Sequence, residues 1–286
     1  MHQFHQRNKF NNIYNYRSFM TEYEIAQVLK IEEWENEEPG VVAKASSVML
    51  KPLGWVVEKV IPQKAIQGAL VAFNAASDLL VDKKDILRDG GVSEISELKL
   101  KDLSLSDKLA NEVHNWAMGI AGGEGAASGF FGLAGMVADV PTLITLALRT
   151  IKKIGICYGY ESNNEEEKMA VLQIMAAAGA NTYKEKMAAV IAIKQINVML
   201  ASVTWKKMGE MAVSNKISKE ALMMAIKATA KQLGINLTKR KALQAIPIAG
   251  AGVAAAMNVA FINDIAWAAR RSYQRRWLTE NGKLEQ

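Results

Sequence analysis

Along most of this chain apolar residues recur three and four positions apart, the period of a helix with one buried face. Residues 21–38 begin the pattern. Ile25, Val28, Leu29 and Ile31 form a stripe, and Thr21 stands three residues before Glu24, as in a capping box. Five glutamates surround Trp34; they read as a solvated acidic face with Trp34 anchoring the helix, or as a contact surface for a basic partner or a cation. Pro39-Gly40 breaks the helix, and residues 41–81 form a second helical region interrupted near Pro52 and Pro62. Residues 81–107 are polar and predict a connector with one short helix and a turn at Gly90-Gly91. A helix starts near Ser106, with Leu109, Val113 and Trp116 on one side. Asn164 caps another, with Glu165, Glu166 and Glu167 in its first turn and Gly179 at its end. Thr182 and Glu185 repeat the capping-box spacing at the head of a helix that is apolar nearly all round, which predicts a central position. The next helix is expected from Ser218 to Gly234. Met169, Met175, Met187, Met199, Met223 and Met224 read as core filling.

Two glycine- and alanine-rich apolar segments stand out, at 119–143 and 242–263. Neither is a phosphate cradle: Ser128 stands where a third glycine would be needed, and no lysine follows until Lys152. Gly125, Gly129, Gly132 and Gly135 fall along one helical face and suit close helix–helix packing, with Gly119, Gly122 and Gly123 in the turn before it. A membrane span needs about 20 apolar residues. Asp139 and Pro141 interrupt the first segment, and Gln244, Pro247, Asn258 and Asn263 interrupt the second. Both therefore read as buried or re-entrant hairpins. In each, small residues and glycines run up to an aspartate (Asp139, Asp264), with arginine further on (Arg149; Arg270 and Arg271), a weak internal echo. The two carboxylates are expected to pair structurally, or else to meet in a functional pocket.

Half of the 286 residues are hydrophobic, only five are proline, and sustained strand-like alternation is missing. The expected fold is all-α, a single multi-helix bundle over residues 21–280 with both apolar segments buried, preceded by a poorly ordered polar extension at 1–20. A net charge of +6 favours anionic surfaces. The single Cys157 excludes an internal disulfide and a multi-cysteine zinc site, and it reads as a small buried hydrophobe. No metal site and no cofactor are expected. The N-terminus carries no secretory signal, so a cytoplasmic location is expected, peripheral to the inner face of the membrane.

Four stretches taken in order and spacing carry a family likeness: Glu33-Trp34, "GLAGMVADVPTL" at 132–143, "YGYE" at 158–161 and "IPIAGAGVAAAMNVAFINDI" at 246–265. Together they resemble the EcsC family over residues 25–277. Asp139 matches the family's aspartate. Tyr158, Gly159, Tyr160 and Glu161 match its aromatic–glycine–aromatic–acid motif, with glutamate where aspartate is common. Pro247, Gly250 and Asn258 match its last apolar segment. The resemblance implies an all-helical domain and a link to membrane transport, and it supplies no catalytic residues.

Three functions follow. The first is peripheral attachment to an anionic membrane surface or a membrane transporter complex through "ARRSYQRRW", where Arg270, Arg271, Arg275 and Arg276 stand beside Trp267, Tyr273 and Trp277. Basic residues near such a surface contribute about 1 kcal/mol each; the same arginines would also complement a helix C-terminus. The second is a hydrolase-like enzyme drawing on Asp139, His114, Tyr158, Tyr160 and Asp264, although no hydrolase signature is present. The third is a module that inserts its apolar hairpins into membrane on a trigger. Nucleic-acid binding is not expected, because the basic residues are scattered.

Overall fold

A computed structural model describes residues 20–39, 63–75, 81–129, 132–207, 219–241 and 250–284. Regular structure among them is helical throughout: α1 (Glu22–Asn36), α2 (Gln63–Ala75), α3 (Lys84–Gly90), a 3-10 turn (Ile95–Leu100), α4 (Leu103–Gly129), α5 (Gly132–Cys157), α6 (Glu165–Ala178), α7 (Tyr183–Lys207), α8 (Lys219–Lys241) and α9 (Gly250–Glu280). The expected all-α bundle is what forms. The extension at 1–19, the prolines Pro52 and Pro62, and the side chains of 124–139 lie outside the described residues.

Local signals set several helix ends. Thr21 and Glu24 form the full capping box of α1. The Asn164 side chain accepts from the Glu167 amide at the head of α6, whose first-turn glutamates face the helix's positive end. Gly91 ends α3 in the left-handed conformation (φ 60°). At the head of α7 the Glu185 amide donates to Thr182, while the Glu185 carboxylate accepts from the amide of Asn181 rather than from Thr182 itself.

The bundle is organised on α9, which packs against α1, α4, α5 and α6. Its partner α4 runs antiparallel. Asp107 meets Gln274, Asn111 meets Arg270, His114 meets Asn263, and Gly122 meets Val259. Small residues make that seam close: Ala110, Ala117 and Ala121 are fully buried on α4, as are Ala266 and Ala269 on α9. A Cβ on Gly122 would stand 3.4 Å from the Val259 side chain.

Four expectations need correction. First, α4 begins at Leu103 and continues through Gly119, Gly122, Gly123 and Gly125, so these glycines lie within a helix and not in a turn. Second, α8 runs past Gly234 to Lys241. One helical glycine costs only about 1 kcal/mol, and buried Leu233 and Leu237 on either side outweigh it. Third, α7 is peripheral: Ile191 is 49% and Val198 41% exposed. Its apolar excess overstated its burial, and α9, with as many charged residues, is the central helix. Fourth, Met175 is in the core, but Met223 and Met224 face outward. Among the described residues no helix is long and apolar enough to cross a membrane.

Candidate functional site

The "YGYE" motif follows α5 as a tight turn. Gly159 adopts φ +87°, and a Cβ there would lie 2.5 Å from the Lys99 side chain and 2.9 Å from its backbone nitrogen, so only glycine fits. The turn sends Tyr158 and Tyr160 into the core, where both are buried. Tyr273 of α9 stacks on both rings, with centroids 6.3 and 5.7 Å away. Glu161, the last residue of the motif, pairs with Lys83 at the surface.

Each tyrosine leads into a different polar cluster. The Tyr158 hydroxyl donates to Asp107, which also accepts from Tyr23 and from the Gln274 amide at 2.7 Å. Burial, and then the Asp107 charge, push the Tyr158 phenol well above its ordinary range. Gln274 continues to Arg271, whose NH1 donates to the side-chain oxygens of Gln274 at 2.7 Å and Gln27 at 3.2 Å. The Tyr160 ring lies under Arg276, 3.8 Å from the guanidinium carbon, with Lys99 also over the ring. Arg276 in turn forks onto Glu167, at 2.7 and 2.8 Å, and reaches Glu280 through Nε.

These contacts correct the reading of the arginine tail as a headgroup-facing surface. Arg270, Arg271 and Arg276 are buried, as are Tyr273 and Trp277, and Trp267 is half-buried. Arg275 is partly exposed and pairs with Glu35 at 2.8 Å. Arg270 and Arg271 both lie over the Trp267 ring, at 4.5 and 4.7 Å. The physical reason is that apolar residues encircle α9 between Phe261 and Leu278, so the whole helix enters the core and draws its arginines in with it.

His114 is buried on α4, 3.1 Å from the Asn263 side-chain oxygen and edge-on to Trp267. Burial and then Arg270 hold its pKa below the ordinary 6.5, against the pull of the Asn263 hydrogen bond. Of the sequence-predicted site residues, Tyr158, Tyr160 and His114 are thus held inside by internal partners. Asp139 lies on α5, its side chain outside the described residues.

Asp264 instead lines a solvent-open cleft of 360 Å³. The end of α1 contributes Lys30, Glu33, Trp34 and Glu37; the α6 end contributes Ala177 and Ala178; α7 contributes Lys186; and α9 adds Trp267 and Arg271. Lys186 crosses to the C-terminal end of α1, donating to the carbonyl oxygens of Trp34 and Glu37, where a helix favours a cation. Burial lowers its pKa. Sequence reasoning missed Lys186, Asp107, Gln274 and Glu167, because they come from four elements and no local spacing joins them. Among the described residues no cluster of histidine, cysteine and carboxylates could hold a metal ion.

The EcsC protein family model matches residues 26–278, nearly the whole helical region. The chain belongs to the EcsC family. It is 22% identical over 273 residues to the uncharacterised protein YdbA of Bacillus subtilis (strain 168), covering 90% of this chain and 93% of that one. No solved structure matches. In this EcsC-family chain the aromatic–glycine–aromatic–acid motif is a core-building turn, Asn258 is buried on α9, Gly250 is the first residue of α9, and Pro247 lies outside the described residues.

A further surface was not singled out from sequence. On α8, Leu222, Ile226, Ala230 and Leu233 face the core. Its outer side presents Met223 (40% exposed), Met224 (65% exposed), Lys227 and Lys231. The helix sequence closes on Lys239, Arg240 and Lys241.

Proposed function

We propose that this EcsC-family protein is a peripheral accessory protein that attaches reversibly to the anionic cytoplasmic face of a membrane, beside transport machinery, and does no chemistry of its own. The observation that carries this reading is the outward face of α8, where two exposed methionines lie among exposed lysines. Such a face suits the interface plane, with apolar side chains at the headgroup boundary and ammonium groups among anionic lipids. Each lysine adds about 1 kcal/mol near such a surface. The face is small, so attachment would be weak and salt-sensitive. The arginine tail is spent on internal contacts and lends no support. The link to transport rests on the family alone. A hydrolase reading draws no support from Tyr158, Tyr160 or His114, each held inside by internal contacts.

Flotation with vesicles tests the reading. The protein should float with anionic vesicles at low salt and stay behind with neutral ones or at high salt. Lys227→Glu with Lys231→Glu should abolish flotation, and Met224→Ser should weaken it, with the far-UV spectrum unchanged. No flotation of the parent chain, or flotation untouched by these substitutions, would remove the reading.

A further inference from the structure

The cleft between α1, α6, α7 and α9 has a lining that the membrane reading does not use. Besides the exposed Lys30, two buried cations stand in it without an ion-pair partner among the described residues. Arg271 is only 8% exposed, yet NH1 binds two neutral amide oxygens, and no carboxylate of the described residues lies within bridging distance. Lys186 is 5% exposed and donates to two backbone carbonyls. A buried cation held by neutral groups alone retains much of its desolvation cost, and an anion placed against it recovers part of that cost. Arg276, by contrast, has Glu167 and Glu280. The difference is notable within one helix: one arginine is fully paired, and another, facing the cleft, is not.

The rim is mainly of the opposite sign. Glu33, Glu37 and Glu38 are exposed at the end of α1 with Lys30 as an exposed cation beside them, and Asp264 lines the cleft half-buried. A plain anion reaching Arg271 would pass these carboxylates, and a plain cation would meet Arg271 and Lys186 at the floor. A molecule carrying both charges satisfies both. Between the two regions stand Trp34 and Trp267, whose rings carry Lys186 at 4.8 Å and Arg271 at 4.7 Å. Their remaining surface suits a short hydrocarbon linker, and the volume is in the range of small-molecule sites.

We propose that this cleft binds a small zwitterion, in which a phosphate or carboxylate meets the unspent edge of the Arg271 guanidinium and an ammonium group lies among the carboxylates of Glu33, Glu37 and Asp264. The planar guanidinium is suited to two-point recognition of such an oxyanion. The same chemistry occurs free in solution and as the headgroup of a zwitterionic phospholipid, and the test separates these sources.

Titration calorimetry of the full chain would use O-phosphoethanolamine and β-alanine, against inorganic phosphate and ethanolamine as single-charge probes. At least one zwitterion should bind about tenfold or more tightly than either single-charge probe. Glu33→Gln with Glu37→Gln, both at exposed positions, should weaken zwitterion binding about fivefold or more while leaving phosphate binding equal or stronger. Arg271→Lys should weaken both. If Arg271→Lys fails to fold, the Glu33/Glu37 variant decides alone. Vesicles containing phosphatidylethanolamine form the second arm: binding there without binding of the free compounds assigns the headgroup, provided it is lost in the Glu33/Glu37 variant. The proposal is overturned if no zwitterion binds in either arm, if phosphate binds as well as O-phosphoethanolamine, or if the variants leave binding unchanged. The α8 variants used for flotation lie outside the cleft, so failure of one idea does not imply failure of the other.

Discussion

Gly155 of α5 stands directly against the ring of Tyr273 of α9: a Cβ on the glycine would lie 2.7 Å from the tyrosine Cζ. The ring is buried and stacks with both Tyr158 and Tyr160, which restricts its movement away from the glycine. Two effects compete in Gly155→Ala. Alanine is favoured in a helix by about 1 kcal/mol, whereas overfilling a packed core costs about 1–3 kcal/mol. The second should win, giving a net loss in urea unfolding. Adding Tyr273→Leu should recover part of that loss, and strict additivity of the two substitutions would contradict the contact.

Arg276 and Glu167 form a buried two-point ion pair that joins α9 to α6. Removing Arg276 leaves the Glu167 carboxylate buried without its ion-pair partner, at a cost of about 3–5 kcal/mol, whereas removing the Glu167 charge leaves Arg276 still paired with Glu280. Arg276→Met should lower stability by that order, and Glu167→Gln by less, because Glu280 remains beside Arg276. Combining them should cost clearly less than the two losses together, as read from denaturant midpoints.

His114 adds a pH dependence. Its folded pKa lies below the ordinary 6.5, so the unfolded chain takes up the proton first as pH falls. The stability due to the neutral ring is complete above that value and declines on acidification through it. Unfolding measured from about pH 7.5 down to pH 5.5 should show this decline, and His114→Gln should flatten it.

Cys157 is fully buried, and its Sγ contacts the Lys153 carbonyl at 3.2 Å. Burial pushes the thiol pKa well up, so little thiolate is available. A thiol-reactive disulfide reagent should modify the native protein roughly a hundredfold more slowly than the urea-unfolded chain. Fast modification under native conditions would place Cys157 at the surface.

Much of the secondary structure was legible because helix ends depend on neighbours in sequence. Thr21 with Glu24, and Asn164 with the three glutamates after it, mark helix starts that form as expected. The site was far less legible. Tyr158 and Tyr160 stand out as a motif, but the residues that give them partners, Asp107, Tyr273 and Arg276, lie far along the chain. The arginine tail was the clearest misreading: its charge pointed outward, while the apolar residues on every side of α9 required it to be buried.

By itself the sequence determined the helical class, several caps, and the unsuitability of the two glycine-rich segments as plain membrane spans, all of which follow from local composition, sterics and hydrogen bonding. Which helix occupies the centre was decided only in three dimensions. There α9 found a partner for most of its polar groups, and α7 turned Ile191 and Val198 to solvent. The cleft was likewise a tertiary outcome. Its charges come from α1, α7 and α9, and their balance depends on which cations the rest of the fold leaves without a counter-ion. Burial makes that balance costly, and burial is a property of the assembled bundle rather than of any one segment.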